Sequence, residues 1–333
     1  MRNDMNEAAS PRIAIIGSGM AGLTCARALA DAGLAPVIFD KGRAPGGRLS
    51  RRRSREGLEF DHGAQSVTAE TAAFGAFLDQ AIAEGHAALW APDGDTDPAQ
   101  RRVVGVPGMA SLLDPLRHGL EIRQDIRVTS LVENTDDVVL HTAETARAFD
   151  MVVVTAPVVQ VRDICAHDQA FLDRLTHVEM EPCWTFMGAF KAGMGTRKAG
   201  RTAPFTCLQD ADDVMSWIAL NSTKPGRDRE RECWVVQASA AWSVENLERE
   251  ADDIAEQLGR RLCDRIGCDP AEFQYARAHR WRYAKVKTPL GESFVRSNGR
   301  RILAGGDWCL GPLAEHAYLS GQAIAQAVLE ALE

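Results

Sequence analysis

The residues best suited to chemistry lie near the start of the chain, in the segment IAIIGSGMAGLTCARALADAGLAPVIFDKG at 13–42. Gly17, Gly19 and Gly22 follow the spacing G-x-G-x-x-G, and Asp40 comes about twenty residues later. In this pattern the first glycine permits a tight turn, the second lets the backbone approach a pyrophosphate, and the third lets a helix pack closely. A carboxylate at Asp40 is placed to accept hydrogen bonds from ribose hydroxyls. The segment predicts a bound dinucleotide and leaves open whether it is a nicotinamide or a flavin.

The elements around these residues favour the same interpretation. An apolar strand at 12–17, a helix at 20–32 and a second strand at 36–40 form a β-α-β start. The pyrophosphate would face the N-terminus of the helix, where unpaired N–H groups and the helix dipole favour an anion. The alternative is a glycine-rich turn that only packs a helix onto a sheet.

Length and composition limit the function classes. A chain of 333 residues with 45% hydrophobic and 25% charged residues is typical of a soluble globular protein of about two domains. Its net charge of -8 argues against nucleic-acid binding, and no apolar run approaches the ~18 residues of a membrane span. The N-terminal MRNDMNEAASPR lacks the features of a secretory or transit peptide, so we expect a short disordered tail. Eight scattered cysteines without a CxxC pair predict reduced thiols in the cytoplasm and no metal site.

The rest of the chain alternates between two patterns. Short strands are expected at 120–150, and the apolar run MVVVTAP at 151–157 predicts a strand buried on both faces. MSWIALNS and CWVVQAS alternate like half-buried strands, and 244–266 predicts one long amphipathic helix with Val244 on its apolar stripe. A strand at RRILAGGDW and a last helix from Ala314 close the chain. This order predicts two domains that interrupt each other.

Three further motifs favour a flavin. APGGRLS (44–50) and FDHGAQ (60–65) follow Asp40, and LAGGDW (303–308) precedes the last helix. Together they resemble the flavoproteins with two dinucleotide-binding motifs, a group that includes the amine oxidases. The resemblance implies that the second glycine turn and its arginine lie near FAD, that the C-terminal Gly-Asp contacts the ribityl chain or pyrophosphate, and that the last helix points at the flavin. It also implies non-covalent FAD.

Longer motifs resemble the bacterial renalase-like branch of these flavoproteins. They are GVPGMASL (105–112), SWIALNSTKPGR (216–227), WVVQASAAWS (234–243), AHRWRYA (278–284) and GGDWCLG (305–311). The resemblance implies an α/β fold, in which a Rossmann-like FAD-binding domain (1–72, 104–163 and 299–333) is interleaved with an α+β substrate domain on an antiparallel sheet (73–103 and 164–298). It implies an oxidase that takes a hydride from 2- or 6-dihydro-NAD(P) and passes electrons to O2 to give H2O2.

The same resemblance assigns the cofactor contacts. They fall in the glycine turns, the FDHGAQ motif, the strand ends and the C-terminal motif: Gly17, Gly19, Met20, Ala21, Gly22, Asp40, Lys41, Gly47, Arg48, Gly63, Ala64, Gln65, Val128, Ala156, Gly306, Asp307, Glu315 and Ala317. Four further arginines form a solvated face or reach a phosphate of a dinucleotide substrate, since the acidic chain argues against DNA: Arg51, Arg52, Arg53 and Arg55.

Three departures from the branch put the substrate in doubt. Leu313 stands where an arginine is usual, His316 where a glycine is usual, and Gln237 where we expect histidine. His316 either contacts flavin or substrate or caps the last helix. The departures keep two alternatives open: an amine oxidase or desaturase for another small amine or cyclic substrate, and a flavin-binding protein without turnover.

The remaining candidates are substrate contacts, and each has a structural alternative. Trp281 and Trp234 are aromatic walls for a planar substrate or are core residues. Asn221 contacts a carboxamide or caps a turn. Together with Gln237 and His316 they form the predicted catalytic set, and the oligomeric state stays open.

Overall fold

A computed structural model of the protein describes residues 10–94, 97, 99–200 and 202–333. The first nine residues, on which most of the expected N-terminal tail falls, lie outside the described residues. The strands in chain order are β1 (Ile13–Ile16), β2 (Val37–Phe39), β3 (Arg52–Arg53), β4 (Glu59–Phe60), β5 (Ala87–Leu89), β6 (Val103–Gly105), β7 (Glu121–Arg123), β8 (Val128–Glu133), β9 (Val138–Thr142), β10 (Ala146–Phe149), β11 (Met151–Val154), β12 (Glu179–Phe190), β13 (Cys207–Gln209), β14 (Met215–Leu220), β15 (Cys233–Ala238), β16 (Phe273–Thr288), β17 (Val295–Arg296) and β18 (Ile302–Ala304).

The helices lie between these strands and at the end of the chain. They are α1 (Met20–Asp31), α2 (Ala72–Ala83), α3 (Asp114–Arg117), α4 (Val158–Ile164), α5 (Gln169–Leu175), α6 (Ala240–Glu245), α7 (Ala251–Ile266), α8 (Asp307–Leu310) and α9 (Ala314–Leu332). Single 3-10 turns occur at Gly47–Leu49, Met109–Leu113, Gly195–Gly200, Asn221–Thr223 and Pro270–Glu272. Among the described residues, no helix has the length and apolar character needed to cross a membrane.

The first half of the fold is built on a sheet with the strand order β17-β18-β11-β1-β2-β7. Its pairs from β18 to β7 are parallel, and only β17 pairs antiparallel. Ile13 and Ile15 of β1 pack into the core shared with α1 and α9, whereas Ala14 and Ile16 pack into the opposite core. Because both faces are covered, the central strands are apolar at every position, as the runs at 12–17 and 151–157 predict.

The second half is an antiparallel sheet with the order β13-β14-β15-β12-β16. One face packs on α7 through a core that includes Phe186, Trp234 and Leu258. The other face turns toward the parallel-sheet half. The protein thus has a Rossmann-like parallel sheet joined to an antiparallel sheet, which confirms the expected fold class.

One predicted helix is wrong in its extent. The single helix expected at 244–266 is divided into α6 and α7, with a break between them. Asn246 ends α6 and its side chain donates to the Trp242 carbonyl, which competes with continuation of the helix. Val244, expected on the apolar stripe, is therefore 58% exposed at the end of α6.

Candidate cofactor and active site

The first glycine turn is shaped by close backbone contacts. Gly17 has φ +108°, which favours glycine, and a Cβ on Gly22 would lie 2.0 Å from the Gly17 carbonyl oxygen. Gly19 caps α1 without a side-chain hydrogen bond, and nothing lies within 4 Å of the place a Cβ would take. The backbone at the start of α1 is thus open to an approaching group, which is the arrangement that a pyrophosphate requires.

Asp40 follows β2 and lies across the same turn. Its Oδ2 accepts hydrogen bonds from the Ser18 N–H and Ser18 Oγ, both at 2.6 Å, and its Oδ1 accepts from the Gly42 N–H at 2.6 Å. The carboxylate is therefore fixed beside the glycine turn, at the position where a ribose hydroxyl is expected. The predicted contact Lys41 points elsewhere and donates to Gln160 Oε1 at 2.8 Å.

The second glycine turn lies directly on the first. A Cβ on Gly47, which has φ +52°, would lie 3.4 Å from the Gly19 Cα. Arg48 forms a bidentate pair with Asp307, with Nη1–Oδ2 at 2.6 Å and Nη2–Oδ1 at 2.5 Å. The structure therefore brings together two residues that are 259 positions apart and that the sequence assigns to one cofactor.

The FDHGAQ motif forms what we term the 59–65 loop, from Glu59 to Gln65. A Cβ on Gly63 would lie 1.9 Å from the Arg48 carbonyl oxygen, and the Ala64 N–H donates to that oxygen at 2.9 Å. Gln65 Nε2 donates to the carbonyls of Asp61 at 2.5 Å and Gly63 at 3.1 Å. The two glycine turns thus form one cradle with the 59–65 loop packed against it, and the backbone contacts at Gly22 and Gly63 leave no room for a side chain.

Three of the predicted substrate contacts hold the 59–65 loop. Asn221 Nδ2 donates to the Glu59 carbonyl at 3.2 Å, and Asn221 Oδ1 accepts from the Asp61 N–H at 3.4 Å. Gln237 Nε2 donates to the Gly63 carbonyl at 2.6 Å, and Trp281 Nε1 donates to the His62 carbonyl at 2.9 Å. Asn221 is 1% exposed with both ends of its amide used, so the structure gives it a positioning role.

Behind the loop, four side chains form a row across four strands. Trp217 of β14 pairs with Gln237 of β15, Gln237 pairs with Thr185 of β12, and Thr185 pairs with His279 of β16. Directly paired residues in an antiparallel sheet project from the same face, and the contact of Gln237 with the loop shows which face that is. We call these four residues the sheet row. It has aromatic rings at both ends and no charged group at neutral pH.

His279 at the end of the row forms an aromatic cluster with His62 and Trp281, which the sequence analysis missed. The ring centroids of His62 and His279 are 4.9 Å apart, and Trp281 lies 5.0 Å from His62 and 4.6 Å from His279. Burial, His279 and Arg52 lower the pKa of His62 to about 3, and burial and Arg52 lower the pKa of His279. Both rings are therefore neutral at pH 7. His279 lies two residues before Trp281 on β16, so strand alternation places both on the same face. This spacing could have identified His279 from the sequence.

The structure corrects one predicted substrate contact. Trp234 is 0% exposed and projects from the opposite face of β15, into the core against α7. Its indole N–H donates to Glu232 Oε1 at 2.9 Å. Successive residues of a strand face opposite sides, so Trp234 cannot share a surface with Gln237 three residues on. It is a core residue.

The side chains of His316 and Glu315 at the start of α9 form hydrogen bonds to backbone N–H groups. His316 Nδ1 accepts a hydrogen bond from the Leu313 N–H at 3.2 Å, so this histidine caps the helix, which was one of its two expected roles. Glu315 is 1% exposed, and its carboxylate accepts hydrogen bonds from the backbone N–H groups of Glu70 and Thr71 at 2.6 and 2.7 Å. Its expected role at FAD stays a prediction, since these contacts point to the beginning of α2.

The other predicted cofactor contacts line the same region. The Gly306 N–H donates to Ser320 Oγ at 2.9 Å, and the Ala156 carbonyl accepts from Trp308 Nε1 at 3.0 Å. The remaining four are mostly buried side chains beside the strand and helix ends of the parallel sheet: Met20, Ala21, Val128 and Ala317. All of them are consistent with a dinucleotide at this edge, and none is tested individually.

Comparisons with known proteins agree with this geometry. Residues 15–81 match the NAD(P)-binding Rossmann-like domain, and residues 69–329 match the flavin-containing amine oxidoreductases. The fold is similar to putrescine oxidase bound to putrescine (TM-score 0.71, 12% identity, 96% of this chain and 99% of that chain). It is also similar to cyclohexylamine oxidase from Brevibacterium oxydans (TM-score 0.72, 12% identity, 97% and 99%). At such identities the likeness shows the fold.

One further similarity is confined to a short segment. The chain is 38% identical over 52 residues to 15-cis-phytoene desaturase from Synechococcus elongatus. That match spans 16% of this chain and 11% of the desaturase's length.

Proposed function

This chain belongs to the family of flavin-containing amine oxidoreductases, and on that premise we propose that it oxidises the 2- and 6-dihydro isomers of NAD(P)H. Membership of this family makes the chain an FAD-dependent oxidoreductase of the oxidase and desaturase type. It argues against the alternative of a flavin-binding protein without turnover. When bound at the cradle, FAD would supply the redox chemistry, uptake of a hydride from the substrate and return of two electrons to an acceptor, for which we propose O2 with H2O2 as the product.

The observation that supports this substrate best is the chemistry of the sheet row. Trp217, Gln237 and His279 offer flat surfaces and a neutral amide, and the fully buried Thr185 lies behind them; none of the four is a carboxylate. An alkylammonium substrate would need a counter-charge there, because an unpaired charge is costly to bury. A dihydronicotinamide ring is planar and neutral, and its carboxamide can exchange hydrogen bonds with a side-chain amide such as that of Gln237.

The chain's own residues then bind and orient the substrate. The rings of His279 and Trp281 are inclined by 73° to each other, so the substrate stacks on one ring and meets the other at an angle, which excludes water from one face of the substrate. Arg52 is exposed beside both histidines and supplies a positive charge for the substrate's phosphates. The lowered pKa values of His62 and His279 keep this wall neutral, so no proton has to be removed from it before binding.

The alternative is an oxidase or desaturase for another small amine or cyclic substrate. The family and the departures at Leu313, His316 and Gln237 favour it. We further propose that 1–72, 104–163 and 299–333 form the FAD-binding domain and that the protein acts in the cytoplasm.

Anaerobic stopped-flow mixing distinguishes oxidation of dihydro-NAD(P) isomers from oxidation of another small amine or cyclic substrate. The FAD-loaded protein is mixed with 2-, 6- and 4-dihydro-NAD(P), putrescine and cyclohexylamine in turn, and bleaching of the oxidised flavin band is followed. We expect fast bleaching by the 2- and 6-isomers and slow or no bleaching by 4-NADH and the amines. Bleaching by an amine alone would overturn the proposal in favour of the alternative.

A further inference from the structure

A buried charge cluster lies beneath the 59–65 loop, outside the predicted site. Asp61 Oδ2 accepts hydrogen bonds from Lys224 Nζ at 3.2 Å and Arg227 Nη2 at 2.6 Å, while Asp61 Oδ1 accepts from the Met109 N–H at 3.0 Å. The side chains of Lys224, Arg227 and Asp61 are 0%, 3% and 2% exposed. We call Asp61, Lys224 and Arg227 the buried triad.

The triad carries a surplus positive charge. It contains two cations and one carboxylate, and the other groups that hold the cations are neutral. Lys224 Nζ also donates to Gln65 Oε1 at 3.1 Å and lies 5.3 Å from the centre of the Trp90 ring. Arg227 donates to the Pro225 carbonyl at 2.6 Å and to the Gly105 carbonyl.

Lys224 stays charged at neutral pH. The titratable groups that act on it are Asp61, Arg227 and the Cys207 thiol. Burial lowers the pKa of Lys224 to about 8, with Asp61 acting in the opposite direction. A single positive charge therefore remains uncompensated in a region from which water is excluded.

Direct contacts connect the triad to the cofactor cradle. Lys224 contacts the amide of Gln65, and the other end of that amide donates to the Gly63 carbonyl at 3.1 Å. Gly63 lies against Arg48, and Gly47 lies against Gly19 of the first turn. Through the Gln65 side chain, the Lys224 ammonium is thus connected to the Gly63 peptide, which packs against the cofactor cradle.

We propose that Lys224, held beside Arg227 by Asp61, is a positioning residue whose fixed positive charge favours the reduced over the oxidised cofactor. Transfer of a hydride adds negative charge to the flavin, and an uncompensated cation in a region of low dielectric stabilises that charge. A lysine with only a structural role would support both oxidation states equally and would leave their ratio unchanged.

The test is the flavin midpoint potential, measured anaerobically by slow chemical reduction against a reference dye. The proteins are the FAD-loaded wild type, Lys224→Met, Lys224→Arg and Lys198→Met. Lys198 is an exposed lysine paired with Glu272 at 2.6 Å, so Lys198→Met controls for the same substitution at the surface. No substrate is used, so the result is independent of whether dihydro-NAD(P) isomers are oxidised.

We expect Lys224→Met to make reduction at least about tenfold less favourable, a fall of about 30 mV for a two-electron couple. Lys224→Arg and Lys198→Met should keep the wild-type potential. Equal potentials in Lys224→Met and Lys198→Met would overturn the proposal.

A second measurement covers the case in which Lys224→Met does not fold or retain FAD. The potentials of the wild type and Lys224→Arg are then compared from pH 7 to pH 9. We expect the wild-type potential to fall relative to Lys224→Arg as Lys224 loses its proton, since arginine stays charged. Parallel pH profiles would contradict the proposal.

Discussion

Gln237 and Gly63 join the two halves of the molecule: the side-chain amide of β15 donates to the carbonyl of the 59–65 loop at 2.6 Å. The same carbonyl accepts from Gln65 Nε2 at 3.1 Å. A peptide group that lies against the cofactor cradle is therefore held from the antiparallel sheet and from its own loop.

Replacing Gln237 with alanine should slow oxidation and leave FAD bound. A neutral hydrogen bond contributes about 0.5–1.5 kcal/mol, so we expect kcat/KM to fall about three- to tenfold while the Kd for FAD stays the same. Steady-state kinetics on the substrate that bleaches the flavin fastest provide the measurement. Gln80→Ala, on the exposed face of α2, is the matched control, and equal kcat/KM in the two variants would contradict the prediction.

Gly22→Ala should abolish FAD binding. The new Cβ would lie 2.0 Å from the Gly17 carbonyl oxygen, so the first turn has to open, at a cost of about 1–3 kcal/mol in unfolding free energy. Absorbance of the purified protein and urea unfolding measure both effects. In Gly75→Ala of α2 the Cβ meets only Ala69 at 3.9 Å, and we expect full flavin content and a gain of about 0.5–1 kcal/mol.

Arg48 and Asp307 should act on FAD as a unit. Arg48→Met and Asp307→Asn each break the bidentate pair, and we expect each to raise the Kd for FAD at least about tenfold. Because either substitution already breaks the pair, the double variant should cost less than the sum of the two. Fluorescence titration of the apoprotein measures the four affinities, and strictly additive free energies would show that the residues act independently.

His62 should make the protein less stable in mild acid. The pKa of His62 is about 3 in the folded state and about 6.5 in an unfolded chain, so between these values the unfolded chain binds one more proton. The free energy of unfolding therefore falls as pH drops from about 6.5, by up to about 1.4 kcal/mol per pH unit. We expect His62→Phe to lack this loss in urea unfolding at pH 7, 6 and 5.

The exposed His167→Phe provides the baseline for losing a histidine elsewhere. If the free energy of unfolding depends on pH equally in His62→Phe and His167→Phe, the pKa of His62 is the same in the folded and the unfolded state, which contradicts the prediction.

The parallel-sheet half could be predicted from the sequence because its signals are local. The glycine spacing, the apolar run at 151–157 and the last helix each fix their element within about 20 residues, and β1, β11 and α9 lie where expected. The break between α6 and α7 was missed, because the capping contact of Asn246 interrupts a periodic pattern that continues on both sides.

The contacts of the candidate site could be predicted only in part. Asn221, Gln237 and Trp281 were singled out, yet their partners are backbone groups of a loop more than 150 positions away, which no local pattern reveals. The buried triad went unnoticed for the same reason, since Asp61 and Lys224 are 163 positions apart. Trp234 was misassigned because strand alternation alone does not say which face looks toward the cofactor.

The strand order has a consequence for how the protein is made. β1 lies between β2 and β11, and β11 in turn pairs with β18, which is synthesised long after both β1 and β2. At about 5–20 residues per second, roughly 15–60 s separate the synthesis of β1 from that of β18. α1 likewise packs against α9, which is synthesised much later. Gly321 of α9 lies so close to α1 that a Cβ there would be 2.4 Å from the Ala21 carbonyl oxygen. Until β18 has been made, the edge of β11 that it covers has no strand paired to it, so the parallel sheet cannot be completed earlier.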